Sequence, residues 1–96
     1  MKSHLNKRFL EQASASLKAL AHPTRMTIVS LLSAGGEMTV TELFTKLEIE
    51  QAVVSHHLQI LRNKSIVCTR KSGKKSLYSL VDKRYNDILK TLIQII

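Results

Sequence analysis

The sequence predicts a mainly α-helical fold carrying a β-hairpin, in the order α-α-α-α-β-β-α, and three observations predict it. Apolar residues recur at spacings of three and four along four separate stretches up to Asn63. The pattern then changes to two short runs rich in β-branched and aromatic residues, with Ser72-Gly73 between them. A strongly apolar, helix-spaced stretch closes the chain. At 96 residues, the chain is expected to form one domain, 1–96, too small to bury much surface alone and better stabilised by a second copy.

The first helix is expected over Leu5–Leu20, where Leu5, Phe9, Ala13, Leu17 and Leu20 share a face. Ala21-His22-Pro23 turns the chain, with Pro23 suited to the first helical position and His22 to a cap. The second helix runs from Pro23 to about Ser33, with Met26, Ile28, Val29, Leu31 and Leu32 largely inward, and Gly35-Gly36 ends it. Thr39 and Glu42 form a capping box that starts the third helix, Val40–Leu47, with Leu43, Phe44 and Leu47 inward. Glu48-Ile49-Glu50 then leads to a fourth helix, Gln51–Asn63. Its inner stripe is Val54, His57, Leu58 and Leu61, and its other face shows Gln51, Ala52, Ser55, His56, Gln59 and Arg62. Strands follow over 66–71 and 75–81, with Cys68 expected to be a buried, inert thiol. Asp82 is placed to cap a last helix over 83–96.

Charge narrows the partner. The chain carries a net charge of +8, and the segment Arg62–Arg84 holds eight basic residues against Asp82, so +7 of that excess lies in and around the hairpin. Such a surface calls for nucleic acid, a membrane face or an acidic protein. No apolar run is long enough to span a membrane. The stretch up to Gln12 lacks the apolar core of a secretory signal, and a lone cysteine suits a reducing compartment, so a cytoplasmic location is expected. The sequence contains no nucleophile–base pair, phosphate-cradling glycine loop or metal-ligand spacing. It is therefore read as no enzyme, and no cofactor is expected.

Two short helices joined by a tight turn form a helix-turn-helix, and a hairpin behind it makes the motif winged. In such motifs the second helix enters the major groove of double-stranded DNA by its N-terminal residues. Gln51 is suited to pair with adenine, Ser55 with base or phosphate, and Ala52 or Val53 with a thymine methyl. The wing's Arg70, Lys71, Lys74 and Lys75 are expected along neighbouring phosphates. The DNA-contacting set is therefore Gln51, Ala52, Ser55, His56, Gln59, Arg62, Arg70, Lys71, Lys74 and Lys75.

The strings from Leu17 to Arg25 (LKALAHPTR) and from Val54 to Arg62 (VSHHLQILR), with the basic Gly-containing hairpin ending Tyr78-Ser79-Leu80, resemble the ArsR/SmtB transcriptional regulators. The resemblance covers nearly the whole chain. It implies a cytoplasmic homodimer that represses its own operon and releases DNA when an effector binds. It also implies an interface built from the first and last helices, here Leu5, Phe9, Tyr85, Ile88, Leu89, Leu92, Ile93 and Ile96. That assignment suits the excess apolar surface of the last helix.

The family's metal sites are not matched. Thr39 and Thr41 stand where one site has cysteines, and threonine hydroxyls do not replace thiolates for soft metals. Lys83 and Arg84 stand where another site has histidines, leaving Asp82 as a helix cap. His56 and His57 are adjacent on one helix and diverge by about 100°, so no metal is expected. Glu48 and Glu50 depart from the family's Ser- or Thr-rich helix start. Either they turn away from DNA or they lower affinity. The alternatives to a DNA-binding regulator with an unknown effector are a protein-interaction module on the same fold and a metal sensor with an atypical site.

Overall fold

The structure is a computed structural model and describes residues 6–96; Leu5, expected in the dimer interface, lies outside them. The elements are α1 (Lys7–Leu20), α2 (Pro23–Gly35), β1 (Met38–Thr39), α3 (Val40–Leu47), α4 (Gln51–Asn63), β2 (Val67–Ser72), β3 (Lys75–Leu80) and α5 (Arg84–Ile95). This is the winged helix that the sequence predicts, with one strand more. Met38 pairs with Tyr78 and Thr39 with Leu77, so the hairpin becomes a three-stranded antiparallel sheet in the order β1-β3-β2. The hairpin loop is also one residue later than Ser72-Gly73. Ser72 pairs with Lys75, which leaves Gly73-Lys74 as the turn. Gly73 takes a φ of 63°, the first-position glycine that a two-residue II′ turn requires.

Local chemistry fixes the ends of the helices. The Asn6 side chain accepts from the Phe9 amide and starts α1. His22 caps α2, its Nδ1 accepting from the Thr24 N–H at 3.0 Å, with Pro23 in the first turn. The capping box of α3 is complete: Thr39 Oγ1 accepts from the Glu42 N–H at 3.1 Å and Glu42 Oε1 from the Thr39 N–H at 2.9 Å. At the end of α4 the Ser65 N–H donates to the Arg62 carbonyl and the Ile66 N–H to the Leu61 carbonyl, with Ser65 at a φ of 56°. These paired bonds around a left-handed residue are the Schellman stop. Asp82 Oδ1 accepts from the Arg84 N–H at 2.9 Å, although Lys83 takes the N-cap position of α5.

The core joins α2, α3, α4 and the sheet. Ile28, Val29, Leu32, Leu43, Val54, Leu58, Leu61, Ile66 and Val67 are almost completely buried. All four residues expected on the inner stripe of α4 are buried, His57 included. His57 anchors a polar strut between helices. Arg25 Nη1 donates to its Nδ1 at 3.2 Å, Arg25 Nε donates to the Ala19 carbonyl at the end of α1, and the His22 ring lies 4.4 Å from the His57 ring. Burial, then the neighbouring His22 and Arg25 charges, push the His57 pKa below its ordinary value. Cys68 corrects the sequence expectation. Because Val67 points into the core, the alternation of the strand turns Cys68 to solvent, where its Sγ lies 3.5 Å from Ser79 Oγ.

Candidate nucleic-acid interface

With Val54, His57, Leu58 and Leu61 committed to the core, the helical period leaves Gln51, Ala52, Val53, Ser55, His56, Gln59 and Arg62 exposed on α4. This is the face expected from the sequence. Val53 adds to it: it is 42% exposed and the only aliphatic side chain larger than alanine on that face. Its methyl groups give that face one apolar element beside the polar Gln51 and Ser55. Gln59 is not free, because its Nε2 donates to Asn63 Oδ1 at 2.8 Å. Arg62 is exposed at the far end of the helix and makes no ion pair among the described residues.

The wing sorts its cations into two groups. Lys71, Lys74 and Lys75 are exposed and form no ion pair among the described residues. Arg70 is held: its Nη2 donates to Glu37 Oε1 at 2.7 Å and its Nε to Oε2, a two-pronged bridge that crosses β3 from the edge of β1 to β2. The hydrogen bonds from Arg70 hold the Glu37 carboxyl below the usual carboxylate range, and Glu37 raises the Arg70 pKa in turn. Arg84 is likewise taken by Asp82, whose pKa falls to about 2 through the hydrogen bonds of that guanidinium and of the Arg84 amide. The positive charge left open for a polyanion is therefore largely lysine, concentrated at the tip of the wing.

The third strand brings helix and wing together in a way the sequence did not reveal. Pairing of β1 with β3 sets the start of α3 beside the hairpin, and a cleft of about 560 Å³ opens between Thr39–Glu42 and Lys74, Lys75, Ser76 and Tyr78. Lys74 and Lys75 thus line a cleft shared with the capped start of α3, where the Glu42 carboxylate lies in the field of Lys75. Thr41, exposed on this rim, was missed as a candidate contact. The capping box located its helix start, but only strand pairing shows that the wing lies opposite.

A second exposed surface lies elsewhere. On α5, Ile93 is 73% and Ile95 74% exposed, and Ile88, Leu92 and Ile96 are also open. On α1 so are Phe9, Leu10 and Leu17. Tyr85 is half-buried against the core. Leu89 is buried within its own chain; it attaches α5 to the body of the protein and leaves the outer face to its neighbours. Among the described residues no three His, Cys, Asp or Glu side chains cluster as metal ligands would, and no helix is long and apolar enough to cross a membrane.

Comparison with known proteins agrees with this architecture. Residues 22–68, from the α2 cap through α4 to the start of the wing, match the family model described as bacterial regulatory protein, arsR family. An HTH-type transcriptional regulator of Methanocaldococcus jannaschii is 40% identical over 80 residues, covering 83% of this chain and 90% of that protein. Among solved structures, HlyU from Vibrio cholerae matches with a TM-score of 0.82 at 30% identity, over 94% of this chain and 97% of that one. The transcriptional repressor PagR of Bacillus anthracis matches with a TM-score of 0.81 at 31% identity, over 91% and 99% of the two chains.

Proposed function

We propose, for a chain that belongs to the arsR family of bacterial transcriptional regulators, that it is a homodimeric repressor that reads double-stranded DNA with α4 and clamps the flanking backbone with its wing. The observation that carries this reading is the division of α4. One face is locked into the core, while the other presents Gln51, Ala52, Val53, Ser55 and His56 to solvent beside a lysine-tipped hairpin. Gln51 and Ser55 supply donors and acceptors for base edges, and Val53 supplies the apolar contact. Lys71, Lys74 and Lys75 neutralise phosphates, with Arg62 at the far end of the helix. The exposed apolar residues of α1 and α5, Phe9, Ile88, Leu92, Ile93 and Ile96 with Tyr85, pack against their copies in a second chain, and Leu89 braces that helix from within. Two copies related by a twofold axis would engage half-sites about one helical turn apart. Such a regulator works in the cytoplasm, without catalysis.

Two substitutions test the division of labour. Lys74→Ala is expected to weaken binding to every duplex and to reduce the slope of log K against log salt by about 1. Gln51→Ala is expected to leave that slope alone and to relax preference at one base pair per half-site. Unchanged base preference in Gln51→Ala would remove α4 from the role of reading helix.

A further inference from the structure

The chain carries seven carboxylate side chains, and four of them make an ion pair or a side-chain hydrogen bond. Glu11 pairs with Lys7, Glu37 with Arg70 and Asp82 with Arg84. Glu42 closes the capping box, whereas Asp87 on α5 forms no ion pair among the described residues and lies only in the field of Arg84. Glu48 and Glu50 likewise have neither an ion pair nor a side-chain hydrogen bond among the described residues. They flank the N-terminus of α4, the end of a reading helix that first meets base edges. A protein of net charge +8 thus keeps two of its three unpaired carboxylates where the approach of phosphates is most hindered by them.

Helix capping does not account for Glu50. It occupies the N-cap of α4 with extended backbone, φ −62° and ψ 144°, yet its side chain makes no capping bond, whereas an N-cap side chain that serves the helix turns back onto those amides. Glu50 instead lines one shallow depression with Gln51 and Val53, floored by Phe44 and Ile49. Gln51 and Val53 are the residues with the clearest base-reading chemistry. In the major groove a carboxylate has a specific partner, the N4 amine of cytosine, which it accepts from directly.

We propose that Glu50 determines specificity: its carboxylate accepts a hydrogen bond from the N4 amine of a cytosine beside the bases read by Gln51 and Val53. The repulsion is felt on any duplex, because phosphates are everywhere, while the compensating hydrogen bond forms only on the right one. A carboxylate at this position therefore lowers affinity for random DNA and widens the gap between operator and background. This inference rests on the DNA-reading role of α4 and assigns one of its contacts.

The test is selection from a random-duplex pool by the wild-type protein, Glu50→Ala and Glu50→Gln, followed by anisotropy titrations on the selected duplex, its single-base variants and a scrambled one. The wild type is expected to select a C·G pair at one position per half-site and to prefer it by about tenfold. Glu50→Ala is expected to lose that preference, to keep those of its neighbours, and to bind scrambled DNA more tightly. Glu50→Gln is expected to shift the same position toward A·T, since a carboxamide pairs with adenine. If both variants bind every duplex more tightly and select the wild-type sequence, Glu50 only repels and the assignment is overturned. If the wild type selects no sequence at all, the DNA-reading role fails, and this contact with it.

Discussion

Two residues end helices in a conformation that disfavours them. Ser65 after α4 and Glu48 after α3 both have φ near 56°, the left-handed region that costs an L-residue about 1–2 kcal/mol relative to glycine. Ser65→Gly is expected to stabilise the fold by about 1 kcal/mol, read as a rise in the thermal unfolding midpoint, without altering DNA binding. Thr39→Ala opens the capping box of α3 and is expected to cost about 1 kcal/mol. His57 links stability to pH. Its folded pKa lies below the ordinary 6.5, so the unfolded chain takes up its proton first as pH falls. Its contribution is complete above about pH 6.5 and declines as pH drops through the lower folded value. Denaturant midpoints measured between pH 7 and pH 5 are expected to fall, and His57→Gln to flatten that fall. At this scale the sequence was informative where chemistry is local: His22 as a cap, the Thr39–Glu42 box, and the buried stripe of α4. It misled at Cys68, because an apolar-looking strand does not reveal which of two alternating faces is covered until Val67 is fixed in the core.

Among the elements, the wing is where charge and topology meet. Strand β1 was not legible because two residues carry no periodicity of their own; Met38-Thr39 is extended only because Tyr78 and Leu77 offer it an edge. That strand also brings Glu37 to Arg70, so a cation that reads as a free phosphate contact in the sequence is already paired in the fold. Similar reasoning explains the other differences in the site: the Arg84–Asp82 pair and the Gln59–Asn63 hydrogen bond depend on side-chain geometry that spacing alone does not specify. Glu37→Gln is expected to release the Arg70 guanidinium for phosphate, tightening binding to scrambled and specific duplexes alike and steepening the salt slope by about 1. Equal slopes for Glu37→Gln and wild type would mean that Arg70 does not reach the backbone even when freed.

For the whole molecule, the fold buries one side of α5 and leaves the other open. Asn86 and Leu89 face the body of the protein, while Ile88, Leu92, Ile93 and Ile95 face outward. The excess of apolar residues over the last helix was visible in the sequence; which of them serve the core and which remain outside required the packing against α2. Since Ile93 contributes nothing to the buried core, Ile93→Asp is expected to leave the folded chain intact. It is also expected to weaken association of two copies by more than ~2 kcal/mol, seen as a shift from dimer to monomer in sedimentation at micromolar concentration. The reading of the whole rests on DNA recognition, and it is tested most directly by fluorescence-anisotropy titration of the wild-type protein onto DNA from upstream of its own gene and onto a scrambled duplex, each at two salt concentrations. Tighter binding to the upstream DNA, falling steeply with salt on both duplexes, is the expected result. Weak and equal binding to both would contradict self-directed, sequence-specific repression and favour a protein partner for the exposed helix.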